Sequence, residues 1–261
     1  MPTVVKSDGK KEVFRPDKII NTCMRSGADR NTAEDIARYI QSAAKSNTTT
    51  HDIYRMILDE LERREDRSSI LFRLREAISL LDSEPFELYV KRLLETNGYR
   101  CLWNRKIRGQ YAEHQIDVIA RKDKEVFLVE CKRHINPHRY TGLNICLQVQ
   151  ARLEDIHDNS KNGYSSAKPW IIVNGKFSEH AKTYAHGKNI RLTGWRYGSP
   201  ALEEMIHSKS AFPVTILTKD RSQVAEIMKN DVLTVNDFLQ SPISKKKNLK
   251  ALADQARLLK L

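Results

Sequence analysis

Two short apolar runs in the middle of the chain constrain its fold more than any other feature. The first is Ile116-Asp117-Val118-Ile119-Ala120 and the second is Val126-Phe127-Leu128-Val129-Glu130-Cys131-Lys132, with Lys122-Asp123-Lys124 between them. Short runs rich in Val and Ile, joined by a polar turn, predict two adjacent strands. Side chains alternate along a strand, so Glu130 and Lys132 share one face and Cys131 takes the other. Paired as a hairpin, the strands bring Asp117 and Glu130 together at the end away from the turn. Two neighbouring carboxylates repel unless a cation lies between them. A hard divalent ion such as Mg²⁺ takes one or two carboxylates and keeps its other positions for water and phosphate. A lysine beside it can orient or deprotonate the attacking water. The pattern points to phosphodiester hydrolysis, although a lone D…ExK also arises by chance at strand ends.

Charge gives the pattern weight. The 261 residues carry a net +12, which favours a polyanionic partner. Residues 1–82 hold 15 basic and 14 acidic side chains, a net +1; residues 83–200 hold 20 and 12, a net +8; residues 201–261 hold 10 and 7, a net +3. The excess sits in the segment that contains the trio. Cys23, Cys101, Cys131 and Cys146 are scattered without a Cys-x-x-Cys pair, which argues against a disulfide framework or a structural zinc site. With no long apolar stretch and no charged-then-apolar leader, the expectation is a cytoplasmic protein with no membrane partner.

The surrounding pattern is that of a layered α/β domain. Ser83-Glu84-Pro85 opens a helix with Ser83 as cap, Phe86, Val90, Leu93 and Leu94 form its apolar stripe, and Gly98 closes it. Glu87 borders that stripe. A strand from Tyr99 to Trp103 precedes the hairpin. A helix over roughly 141–158, a strand at Trp170-Ile171-Ile172-Val173, a helix over about 178–186 and a strand at Ile190-Arg191-Leu192 follow it. Helices covering a mixed central sheet are the expected result.

On Phe86-Glu87-Leu88-Tyr89-Val90, Asn97-Gly98-Tyr99, Ile116–Ala120, Glu130-Cys131-Lys132 and Phe177-Ser178-x-x-Ala181-x-x-x-Ala185, nearly all of residues 83–197 resembles the Mrr-like branch of the PD-(D/E)xK nucleases. The resemblance implies an αβββαβ restriction-endonuclease-like core in which Asp117 and Glu130 bind Mg²⁺ or Mn²⁺ and Lys132 handles the water. It implies that Glu87 joins the metal site and that Gln148 is a supporting polar residue on the following helix. Ile116 stands where the family normally has proline.

Several histidines crowd the trio. His114 lies three residues before Asp117, and His134 two after Lys132, in Arg133-His134-Ile135-Asn136-Pro137-His138-Arg139. His114 is a candidate for the catalytic site, and Arg133, His134 and Arg139 for contacts to a nucleic-acid backbone. Zinc binding by His134 and His138 is disfavoured, because Asn136-Pro137 breaks the helix an i, i+4 pair needs. A basic solvated loop is the competing reading.

The N-terminal segment has its own pattern. Thr3–Lys6 and Glu12-Val13-Phe14 flank Asp8-Gly9, a hairpin-turn signal, and Arg15-Pro16-Asp17-Lys18-Ile19 starts a helix with proline in its first turn. Asn31-Thr32-Ala33-Glu34 reads as the start of a second helix, Thr50 as the cap of a third, and Ile70, Leu71, Leu74, Ala77, Ile78 and Leu81 as the stripe of a fourth. This hairpin on four helices is similar to the ATP-cone, the nucleotide-sensing module of ribonucleotide reductases and their repressors. The resemblance implies that Val4, Lys6, Glu12 and Lys18, with Thr50 and Tyr54, surround ATP or dATP. Ser7 replaces a second basic residue found in many cones, for which Arg73 or Arg75 could compensate. The competing reading is a scaffold for oligomerisation. Without a G-x-x-x-x-G-K-[ST] loop, the module is expected to sense nucleotide rather than hydrolyse it.

The expected organisation is therefore a multi-domain α/β chain: a cone over 1–82, a nuclease domain over 83–200 and a C-terminal extension over 201–261. In the extension, Pro213–Leu217 suggests an edge strand, 234–239 a capped helix, Lys245-Lys246-Lys247 a solvated linker, and Leu249–Leu259 an amphipathic helix that packs on the body or on a partner, with DNA contact or dimerisation as the alternative role of the segment. The expected function is a metal-dependent endonuclease acting on double-stranded DNA as a homodimer or higher oligomer and tuned by a purine nucleotide. The alternatives are a nucleotide-responsive DNA-binding regulator and an RNA or branched-DNA nuclease.

Overall fold

A computed structural model describes residues 3–6, 9–64 and 67–259. Ser7 and Asp8, on which the basic-residue substitution and part of the turn signal fall, lie outside them. The chain divides into two compact units, Met1–Leu74 and Arg75–Leu261.

In the N-terminal unit, β1 (Thr3–Val5) is the middle strand of a three-stranded sheet. It pairs antiparallel with β2 (Lys11–Val13). Helices α1 (Pro16–Arg25) and α2 (Arg30–Ala43) follow, then β3 (Thr48–Thr49), which runs parallel to β1 with Val5 opposite Thr49. Next come α3 (Thr50–Glu62) and α4 (Arg67–Phe72); α5 (Leu74–Leu80) starts at the last residue of this unit and otherwise belongs to the second. Val4, Phe14, Ile19, Ile36, Ile40, Ile57 and Leu61 share one core.

Two helix starts differ from expectation. Asp29, not a residue of the Asn31–Glu34 run, caps α2 by accepting from Thr32 N at 2.9 Å. Thr49 rather than Thr50 caps α3, in a reciprocal capping box with Asp52. The expected fourth helix is broken at Arg73 into α4 and α5, while its apolar stripe runs on through the break, so periodicity could not register it.

In the second unit α6 (Ser83–Thr96) buries Phe86, Tyr89, Val90, Leu93 and Leu94. Ser83 is its first residue, and Asp82 occupies the cap position. The strands β4 (Arg100–Arg108), β5 (Glu113–Lys122) and β6 (Glu125–Lys132) form an antiparallel meander, with Asp123 at a left-handed φ of 54° in the last turn. A short strand β7 (Tyr140–Thr141) leads into α7 (Leu143–Asp158). Then β8 (Lys168–Val173) pairs parallel with β6, β9 (Lys176–Phe177) pairs with β7, and α8 (Glu179–Gly187) leads to β10 (Arg191–Thr193) beside β8. The five-stranded order is β10-β8-β6-β5-β4, the mixed sheet that was expected.

Strand β8 is buried at five of its six residues, as a central parallel strand requires. Trp170 is wholly buried there between Tyr99 and Phe127, and its Nε1 donates to Thr193 Oγ1 at 3.0 Å.

The C-terminal segment packs into the same unit through α9 (Leu202–Ser208), α10 (Arg221–Met228), α11 (Val235–Gln240) and α12 (Lys250–Leu258). Thr234 caps α11, as expected. Residues Val214–Ile216 form a 3₁₀ turn instead of an edge strand. All three are buried, which removes the two-sided environment of an edge, and Thr215 Oγ1 donates to Ala77 O at 2.7 Å. Only Pro213 retains a bridge, to Thr234. All four cysteines are free, and among the described residues no helix is long and apolar enough to cross a membrane.

Candidate active site

The β5–β6 register runs from Lys122↔Glu125 to Val118↔Val129, and one step beyond it Asp117 faces Glu130. Asp117 also lies at an irregularity. The β4–β5 ladder pairs Trp103 with Val118 and Arg105 with Ile116 but passes over Asn104 and Asp117, and Asn104 has φ 48°. Alternation would send Ile116 and Ile119 to opposite faces, yet both pack in one cluster with Leu153 and Ile156 of α7. The register is the same on both sides of the skipped pair, so the ladder is interrupted at Asp117 without an inserted residue. Asp117 Oδ2 accepts from Cys131 N–H at 2.7 Å.

Three carboxylates surround this point. Burial, followed by the charges of Glu130 and Glu87, pushes the Asp117 carboxyl up to about 7, opposed by the Cys131 N–H and Arg152. Burial is also the main cause raising Glu87, whose Oε2 accepts from Trp103 Nε1 at 3.3 Å. Glu130 Oε2 accepts from Arg152 of α7 at 2.6 Å. Lys132 is exposed, two residues beyond Glu130. Among the described residues no group of three or more His, Cys, Asp and Glu side chains is preassembled to hold a metal. The donor chemistry nevertheless fits a hard cation. Asp117 Oδ1 and Glu130 Oε1 have no hydrogen-bond partner among the described residues, and Asp117 resists ionising where no cation compensates its neighbours.

Other predicted residues have different placements. Gln148 is exposed on α7 and does not meet the carboxylates through any hydrogen bond. Arg152, one turn later on the same stripe, does so instead, and the i, i+4 spacing from Gln148 was the available signal for it. His114 packs toward α7, where its Nε2 lies 2.6 Å from Asp155 Oδ2. Arg133 turns inward and donates to Ser79 O at 2.8 Å. His134 is held by Asn174 and Thr141, and burial, reinforced by Arg139 and Lys132, lowers its pKa. Arg139 remains exposed.

The loop after Lys132 is fastened to α5. Arg75 donates to Pro137 O at 2.5 Å and approaches His138 Nδ1 at 3.4 Å, and burial pushes its guanidinium down to about 10. Asn174 bridges Ser79 Oγ and the backbone of His134. Arg75 is thus committed to this loop. Arg75→Ala is expected to raise amide hydrogen exchange across 133–140 by about tenfold or more, since each lost charged hydrogen bond is worth about 1.5–3 kcal/mol. Unchanged exchange there would remove Arg75 as the anchor.

In the N-terminal unit, Lys6 and Lys18 converge on Glu12 at 2.6 and 2.5 Å and, Lys18 foremost, lower its pKa. Val4 lies in the core, Thr50 is the first residue of α3, and Tyr54 stacks on Phe72 with centroids 4.7 Å apart.

A sheet of this order, with facing carboxylates and a lysine at its open end, is of the restriction-endonuclease type. Residues 78–195 match the Mrr-type restriction endonuclease family, and residues 2–75 match the ATP cone domain. The chain thus carries an ATP cone domain followed by an Mrr-type restriction endonuclease domain. An uncharacterized protein of Archaeoglobus fulgidus is 36% identical over 167 residues, covering 64% of this chain and 92% of that protein. The crystal structure of a protein of unknown function aligns with a TM-score of 0.54 at 33% identity, over 67% of this chain and 93% of that one. Can2 from Sulfobacillus thermosulfidooxidans, in complex with cyclic tetra-adenylate, aligns over 77% of this chain and 64% of its own with a TM-score of 0.33 at 9% identity, too distant to carry an argument.

Proposed function

We propose that the protein is a divalent-metal-dependent DNA endonuclease whose activity or assembly is set by a purine nucleotide, ATP or dATP, bound at the cone. The facing of Asp117 and Glu130, with Lys132 two residues on, carries this reading. Asp117 and Glu130, with Glu87 behind them, would hold Mg²⁺ or Mn²⁺. Such an ion polarises the scissile phosphate and offsets charge developing on it. Lys132 orients the attacking water and stabilises its deprotonated form. Arg152 holds Glu130 in place, and Trp103 does the same for Glu87. Lys6, Glu12 and Lys18, with Val4, Thr50 and Tyr54, would receive the nucleotide. Coupling follows if the nucleotide binds one state of the protein better than another. Cutting both strands of a duplex calls for two such sites, hence a homodimer or larger assembly.

One observation favours a second reading. Arg152 already neutralises Glu130, so the fold could serve as a nucleotide-responsive DNA-binding platform without cleavage. Filter binding in EDTA, run beside cleavage of plasmid, linear and single-stranded DNA in Mg²⁺ or Mn²⁺ with and without ATP or dATP, separates the two. Metal-dependent nicking or linearisation that responds to nucleotide is the expected result. Binding without cleavage in either metal would establish the regulator reading instead.

A further inference from the structure

Past Asp117 the β4–β5 hairpin continues without β6. It pairs Arg105↔Ile116 through Arg108↔Glu113, whereas the pairing of β5 with β6 ends at Val118↔Val129. A two-stranded ribbon therefore starts at the candidate metal aspartate and ends in the turn at 109–112. Its Ile107, His114 and Ile116 side pack toward α7, while Arg105, Lys106, Arg108 and Gln115 are exposed. At the tip stands Tyr111, 80% exposed and the most exposed large hydrophobic residue among those described.

The turn that carries it is fixed. The Asp155 carboxylate accepts from the Tyr111 and Ala112 amides at 2.8 and 3.2 Å, and Gln110 N donates to Asp155 O at 2.9 Å. Gly109 N donates to Ala112 O at 2.7 Å, and Asn159 and Asn162 hold the Arg108 and Gly109 carbonyls at 3.0–3.1 Å. A Cβ at Gly109 would collide with the Asp155 carboxylate, so the close approach requires glycine. The result is an aromatic ring held out into solvent from a rigid base, three residues beyond the exposed Arg108, with Arg105 further down the ribbon opposite Ile116.

We propose that Tyr111 is a substrate-positioning contact that stacks on an exposed base face of the DNA, with Arg108 on a neighbouring phosphate and Arg105 on one nearer the cut. The proposal rests on the nuclease reading and narrows its substrate. Asp117 lies five residue steps from Ala112, about 17 Å at the rise of a strand, or about five nucleotide steps along a strand of a DNA duplex. Base faces are covered inside a regular duplex, so the substrate presents an unpaired or opened base about five nucleotides from the cut phosphate.

The test uses the full chain and two labelled duplexes, one fully paired and one with a short single-stranded gap, with binding read by fluorescence anisotropy in EDTA and cleavage of the same duplexes read separately in Mg²⁺. The wild type is expected to bind the gapped duplex about 5- to 100-fold more tightly, the range of one base–aromatic stack. Tyr111→Ala is expected to lose that preference and Tyr111→Trp to keep it, with unchanged thermal unfolding because the side chain is exposed. A preference that survives in Tyr111→Ala, or a wild type that binds and cleaves DNA with no preference, overturns the proposal and leaves the nuclease reading standing. Failure of the wild type to bind or cleave either duplex overturns both.

Discussion

Asp117→Asn is expected to abolish cleavage, by on the order of a thousandfold or more, while making the metal-free protein more stable at neutral pH. Burial and the nearby Glu130 and Glu87 raise the Asp117 pKa from 3.8 to about 7, so folding favours the neutral acid. The stability linked to that proton is fully present below pH 3.8 and is lost as pH rises through about 7. The gap of about three pKa units corresponds to at most about 4 kcal/mol. Asparagine keeps an oxygen for the Cys131 N–H but cannot ionise. Urea denaturation in EDTA should therefore give equal stabilities near pH 4 and a variant that is the more stable by pH 8. Adding Mg²⁺ at pH 8 should raise the unfolding midpoint of the wild type alone, since a ligand carboxylate must be deprotonated to bind. Parallel stability curves across this range would sink the account of Asp117, and a variant that still cuts would sink its catalytic role.

Lys132→Ala is expected to lower the cleavage rate by roughly 10²- to 10⁴-fold, the usual reach of a group that manages a proton. Its side chain is exposed, so stability should stay within about 0.5 kcal/mol of wild type. Metal-induced stabilisation and ATP affinity should also be retained. Lys132→Arg preserves charge but cannot give up its proton, so it should remain slow. Plasmid nicking at saturating Mg²⁺ measures both variants. Wild-type rates in Lys132→Ala would take the lysine out of the mechanism, whatever the fate of Asp117.

The hairpin that carries the candidate site was legible in advance: Asp117, Glu130 and Lys132 lie on two strands joined by a two-residue turn, whose pairing is local in the sequence. Residues outside that hairpin were harder to place. Gln148 and Arg152 sit one turn apart on the same stripe of α7, and which of them reaches Glu130 depends on where the helix lies along its axis relative to the sheet. That placement accompanies the packing of Leu153 and Ile156 with Ile107 and Ile116, a long-range contact that helical spacing does not contain. Arg133 and His134 read as surface residues in a basic loop, yet Ser79 and Asn174 draw them inward. At Thr48-Thr49-Thr50 the sequence pattern places the cap at Thr50, one residue too late. The pairing of Thr49 with Val5 sets the chain's entry into α3 and makes Thr49 the cap.

By itself the sequence determined the two domain types and their order, because turn chemistry, strand alternation and helix capping act over a few residues. Tertiary structure alone decided three things: that Arg152 holds Glu130, that Arg75 and Ser79 fasten the loop after Lys132, and that Asp155 presents Tyr111 at the end of a rigid ribbon. Each joins side chains from elements distant in the chain, and a buried or partly buried polar group finds its partner only after the packing of those elements has removed water as the alternative.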